Sequence, residues 1–346
     1  MLMVIFGAGA SYDSSSTYTP GMVPPGATQT DRDNDFNRPP LAKDLFANRP
    51  LFIEAVDAFP QCKTIVHKLR DPAVTSGQAS IEARLQEIEE QAQTYLQAQQ
   101  ELAAVRCYLQ RAITQCEVRW RNNTRKITNH LALLREIQRT HKTETDEPVC
   151  LVTFNYDTLL EDALADLGLE IKHMDDYTRR PVLFRLFKLH GSVNWGHVLE
   201  NRFPSTELQP SDQFVLCDPS TMRSPDIGHT LFPAIAIPVQ KKSIFECPQP
   251  MLEEFVSVLR EVRKILVVGW RATEEHFLAL LGNRLTGLRP RVELYIVAGP
   301  DQQQGEEIGV RICRALLNNP PQSPTVDGGG FTDFIRSPRV QQFLTR

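Results

Sequence analysis

Four short, predominantly apolar runs punctuate the chain, at 2–6 (LMVIF), 149–154 (VCLVTF), 264–268 (KILVV) and 292–297 (VELYIV). Runs this short and this free of polar alternation predict strands buried on both faces. Apolar residues recur at helical spacing over 157–167 (DTLLEDALADL), 250–262, 273–285 and 305–317, predicting helices there. Strands alternating with helices predict an α/β fold, with a Rossmann-like parallel sheet covered by helices on both faces.

Two stretches break that rhythm. Residues 12–40 are rich in Ser, Thr, Pro, Gly and Asp and carry no apolar period, so they read as a long loop. A loop of that length is either a binding segment folded over the end of the first strand or a disordered one. Residues 41–147 lose all strand signals while Leu, Ile and Ala recur at helical spacing, which predicts an all-helical module of three or more helices. The chain thus divides into an α/β domain of 1–40 and 148–346 and a helical insertion of 41–147. Within the insertion, the basic aromatic patch at 119–126 (RWRNNTRK) reads as a solvated helix surface rather than a phosphate site.

Composition narrows the classes. At 346 residues, 41% hydrophobic, 23% charged and a formal charge of −4, the chain has the make-up of a soluble globular protein, and nothing in it calls for nucleic acid. Its seven cysteines contain no CxxC pair, which points away from a zinc ribbon or other metal site and from a disulfide framework. The odd count fits reduced thiols, and no segment approaches the ~20 apolar residues that cross a bilayer, so the expected location is the cytoplasm.

The candidate chemistry sits at strand ends. Gly7-Ala8-Gly9-Ala10-Ser11 follows the first run, where two glycines allow a tight turn and bring backbone amides to a pyrophosphate. A dehydrogenase would carry a third glycine at position 12, which is Tyr12. Asn155 stands at the tip of the second run, where a carboxamide can donate to and accept from a ribose hydroxyl or a water. Asp157, two residues on, can cap the following helix. His190, in Lys188-Leu189-His190-Gly191-Ser192, ends another apolar run, and its imidazole is suited to general-base work, while Gly191 permits close backbone approach. The run 264–268 ends in Gly269-Trp270-Arg271, with Thr273 placed to cap the next helix.

Taken in order, GAGAS, TFNYD, KLHGS and VVGW resemble the sirtuin-like superfamily, and its bacterial antiphage-defence NADases in particular. The resemblance covers residues 1–11 and about 148–300, with Arg38-Pro39-Pro40-Leu41 as a weaker match. It implies NAD⁺ as substrate, with no metal. Gly7, Ala8, Gly9, Ala10 and Ser11 would lie at the pyrophosphate, Asn155 and Asp157 at the nicotinamide ribose, and His190 on the ribose hydroxyls. Gly269, Trp270 and Arg271 would complete the site, with arginine standing where the family commonly has serine and able to pair with phosphate. The strand end at Val297, Ala298 and Gly299 corresponds to the adenine side. Asn155 and His190 are then the catalytic pair of an NAD⁺ glycohydrolase. Deacylating sirtuins carry two CxxC pairs that this chain lacks, so water is the expected acceptor. A protein deacylase, and a non-catalytic NAD or ADP-ribose sensor or scaffold subunit, are the alternatives. The resemblance further implies a homo-oligomer and a separate sensor or ATPase partner.

Overall fold

The computed structural model describes all residues except 71–80, 142–146, 180–181, 202–207, 225–226, 229, 240–244, 286–291, 317–323 and 346. Six strands form one parallel sheet: β1 (Leu2–Phe6), β2 (Val149–Thr153), β3 (Phe184–Lys188), β7 (Lys264–Val268), β8 (Glu293–Val297) and β9 (Thr325–Asp327), in the order β3-β2-β1-β7-β8-β9. Every residue of β1 and β2 is buried, as expected of strands covered on both faces. A second, antiparallel sheet of β4 (Gly191–Asn201), β5 (Leu208–Leu216) and β6 (Phe232–Ile235) follows β3, in the order β5-β4-β6. The sequence pattern does not announce it, because its strands mix polar residues and glycine with apolar ones.

Helices surround the parallel sheet, as the alternation predicts. Two short ones, α1 (Ala8–Tyr12) and α2 (Gln29–Asp33), precede the helical stretch, which contains α3 (Pro50–Ala58), α4 (Lys63–Leu69), α5 (Ile81–Ala92), α6 (Leu96–Thr124) and α7 (Asn129–Thr140). After β2 come α8 (Leu159–Ala165), α9 (Gln249–Val258), α10 (Glu275–Arg284), α11 (Gln302–Ala315), α12 (Gly330–Arg336) and α13 (Arg339–Thr345). Two apolar clusters result. The larger joins the sheet to α7, whose Leu131, Leu133, Leu134 and Ile137 are buried in it. The smaller joins α3 to α6 with Val193, Ile235, Ile237 and Val239, so the second sheet forms one wall of the helical core.

Residues 12–40 follow a defined path. Arg38 is buried beneath them and donates to the carbonyls of Tyr12 at 2.6 Å, Tyr18 at 2.8 Å and Thr19 at 3.2 Å, with its guanidinium 4.7 Å from the Trp120 ring. Of the basic aromatic stretch 119–126, Arg119, Asn122, Asn123, Arg125 and Lys126 are exposed, as a solvated helix surface requires, while Trp120 and Thr124 turn inward. Trp120 is buried with its indole donating to Ser14 Oγ at 2.8 Å, and Arg121 is paired with Glu117 at 2.6 Å.

Candidate functional site

In sequence number the strands progress outward in opposite directions from β1, so the order reverses between β1 and β7. In open α/β sheets that reversal opens a crevice beyond the carboxyl ends of the strands. A cleft of about 1790 Å³ lies there. Its lining takes one residue or more from beyond the end of every strand of the sheet: His190 after β3, Asn155 after β2, Gly7 after β1, Gly269 after β7, Gly299 after β8 and Gly330 after β9. At about 4.8 Å per strand, six tips span roughly 24 Å.

The glycines at the centre are required by packing. Gly7 N donates to the Val268 carbonyl and Gly9 N to the Gly269 carbonyl, each at 3.0 Å. A Cβ on Gly7 would stand 2.5 Å from Trp270 Cα, and one on Gly269, whose φ is +60°, would stand 2.3 Å from Ala10 N. The first and fourth motifs are therefore one interlocked backbone unit. Two amides that the sequence reading assigned to a pyrophosphate are engaged within it. Ala8 and Ser11 line the cleft, while Ala10 is fully buried behind them and lies outside the lining.

Asn155 is nine-tenths buried, and its Nδ2 donates to Gly7 O at 2.9 Å and to Ser11 Oγ at 2.8 Å. A carbonyl only accepts, so the amide orientation is set, and no donor among the described residues reaches Oδ1. Asn155 thus meets the cleft as an acceptor rather than as the donor and acceptor its chemistry allows. Beside it, the His190 ring lies 4.8 Å from the Phe154 ring and 6.1 Å from that of His276. Gly191, with φ +82°, is needed because a Cβ there would stand 2.0 Å from the Ala234 carbonyl. The close approach that the glycine permits is that of β6.

The remaining candidates are placed as follows. Asp157 Oδ1 accepts from Leu159 N at 3.3 Å, and the cap position of α8 is Thr158. Trp270 stacks on Phe154 at 5.4 Å and donates to Glu274 Oε2 at 2.6 Å. Helix α10 begins at Glu275 with Glu274 as its cap residue, so Thr273 is not the cap expected from sequence; its amide donates to the Glu274 carboxylate at 3.1 Å. Arg271 is half exposed at the cleft and pairs with Glu82 of α5 at 3.3 Å.

Four residues of the site carry no signal picked out from the sequence. Gly329 and Gly330 follow β9 with the same strand-then-glycine pattern as Gly7, but β9 has only three residues and leaves no apolar run to see. Asp13 lines the cleft and accepts from Thr332 Oγ1 at 2.6 Å and Thr332 N at 3.0 Å, and burial raises its carboxyl above the usual range. Tyr156 donates to the Ala236 carbonyl at 2.8 Å, fastening the second motif to the end of β6.

Residues 149–311 match the profile of a SIR2-like domain. The match begins at β2 and includes Asn155, Asp157, His190 and Gly269, whereas the Gly7 turn precedes it. A SIR2-like domain is compatible with NAD-dependent activity. No curated protein matches the chain. Among the described residues no group of three or more His, Cys, Asp or Glu side chains is placed to hold a metal ion, and no helix is long and apolar enough to cross a membrane.

Proposed function

We propose that this chain is an NAD⁺ glycohydrolase that splits its substrate into nicotinamide and ADP-ribose. The observation that carries the reading is the single cleft across six strand tips, with Asn155 and His190 at adjacent tips of one end. The diphosphate would lie at the interlocked turn of Gly7, Ala8, Gly9 and Ser11, and the adenosine toward Gly299 and Gly330. Asp157, beside Asn155, would face the nicotinamide ribose, and Arg271, which lines the same cleft, would serve a phosphate.

The bond between ribose C1′ and the ring nitrogen breaks with both electrons going to nitrogen, so nicotinamide leaves neutral and the sugar acquires oxocarbenium character. Asn155 Oδ1 accepts from the attacking water or a ribose hydroxyl. His190 takes a ribose hydroxyl proton as charge develops and returns it as water adds to C1′, the water giving up one proton to solvent. The absence of CxxC pairs supports water as acceptor. On the family resemblance, the protein acts in the cytoplasm as an NAD-depleting effector of antiphage defence. It assembles as a homo-oligomer with a separate sensor or ATPase partner, and the 41–147 insertion is the segment available for those contacts.

Nicotinamide release from NAD⁺, followed by chromatography with and without an acyl-lysine peptide, tests the reading. Peptide-independent release that is lost in Asn155→Ala and His190→Ala is the expected result. Undiminished release in both variants removes the assignment, peptide-dependent release identifies a deacylase, and intact NAD⁺ bound without turnover identifies a sensor.

A further inference from the structure

Lys188 is the last residue of β3, two positions before His190, and pairs in register with Thr153, the last residue of β2, two positions before Asn155. Its side chain is 0% exposed. The ammonium donates to the main-chain carbonyl of Asp157 and to Glu161 Oε1 at 2.9 Å. The same carboxylate oxygen accepts from the Tyr177 hydroxyl at 3.0 Å, and that hydroxyl accepts from the Trp195 indole at 2.9 Å. Lys188 therefore closes a buried chain from the end of β3 to the first turn of α8.

This is an unfavourable place for a cation. Burial removes its hydration, and the N-terminus of α8 carries the same sign of partial charge. An apolar side chain of equal length would avoid both costs, and Glu161 would then need no charge. The ammonium does one thing that an apolar group cannot, which is to bind the Asp157 carbonyl and tie the 154–157 turn to the strand that delivers His190.

We propose that Lys188 is a positioning residue that sets the Asn155 turn against His190; this rests on the reading of those two as the groups acting on the nicotinamide ribose. A misplacement of about 1 Å at such a pair costs up to about 100-fold in rate while leaving distant binding contacts intact.

The full chain is compared with Lys188→Met and with Lys188→Met/Glu161→Leu, the second removing the carboxylate that the first leaves buried alone. Thermal midpoint, ADP affinity by calorimetry, and kcat and KM for NAD⁺ are measured. The expected result is kcat lowered about 10- to 100-fold in both variants with the affinity for ADP, which lacks the ribose at Asn155 and His190, unchanged, and a thermal midpoint recovered in the double variant without recovery of kcat. A folded double variant with the wild-type kcat overturns the proposal. If the wild-type chain does not turn over NAD⁺, the cleavage reading alone has failed. The side-chain amide resonance of Asn155 then decides: it moves between wild type and double variant if Lys188 positions the turn, and an unmoved resonance overturns the proposal.

Discussion

Asn155 and Ser11 meet at 2.8 Å, the carboxamide nitrogen of one donating to the hydroxyl of the other across the two halves of the cleft floor. Together with the bond to Gly7 O at 2.9 Å, this uses the donor side of Asn155 to hold the first motif and leaves its oxygen for the cleft. Asn155→Asp replaces a donor by a carboxylate facing the Gly7 carbonyl. We expect at least about 100-fold loss of kcat/KM, together with about 1–3 kcal/mol of destabilisation for the unsatisfied buried groups. Ser11→Ala removes one of two acceptors and should cost turnover about 10-fold with about 1 kcal/mol of stability. Steady-state kinetics and denaturant unfolding check both, and a fully active Asn155→Asp enzyme would contradict the orientation.

Gly269→Ala should be among the most destabilising single changes in the chain. The position combines φ +60° with a Cβ placed 2.3 Å from the Ala10 amide nitrogen, so neither a side-chain rotation nor a small shift relieves it. We expect a loss of about 3 kcal/mol or more, measured by denaturant unfolding. Addition of ADP-ribose should recover part of the midpoint, since a ligand that binds only the folded state stabilises it.

The Arg271–Glu82 pair separates two roles of one arginine. With side-chain exposures of 48% and 29%, the pair should contribute no more than about 1 kcal/mol to stability. If Arg271 serves a substrate phosphate, Glu82 competes for it. Glu82→Gln should then lower KM for NAD⁺, Arg271→Ala should raise it about 10-fold, and salt should narrow both differences. Equal effects of the two substitutions would assign Arg271 to the interface with α5 instead.

Two buried groups make stability respond to pH in opposite directions. Burial raises Glu117 to about 7, so the folded state holds a proton that the unfolded state releases; the folded state is favoured at low pH and loses that advantage as pH rises from about 4.5 to about 7. Burial lowers His130, which packs between Phe6 and Phe331, to about 4, so its folded form stays neutral while the unfolded form charges. That stability is present above about 6.5 and is lost as pH falls toward about 4. The contributions overlap and offset in wild type. The thermal midpoint of Glu117→Gln relative to wild type should therefore rise between pH 4.5 and 7 and level off above it. A constant difference across that range would show that Glu117 does not titrate there.

Much of the site is legible locally because open α/β sheets place ligand groups beyond strand ends, and a strand buried on both faces declares its end by a change from apolar residues to glycine or a polar side chain. Leu2 to Phe6 before Gly7, and Lys264 to Val268 before Gly269, are such ends. β9 contributes Gly330 without that signal, because three residues at a sheet edge need no apolar run. At Gly191 the close backbone approach is legible in the sequence, but its partner is not, since the backbone that crowds it belongs to β6, more than forty residues away.

Local sequence pattern carries the parallel α/β core, the helical character of the stretch before β2, and the residues standing at five of the six strand tips. These follow from local burial pattern and turn chemistry, which each segment carries within itself. Only the tertiary structure decided that Gly7 and Gly269 interlock, that Asn155 spends its donors on Gly7 and Ser11, that Arg271 faces Glu82, and that Lys188 reaches Asp157 and Glu161. Each of these is a meeting of segments distant in the chain or folded onto one another, and hydrogen-bond direction and steric contact between them depend on which surfaces the whole fold brings together.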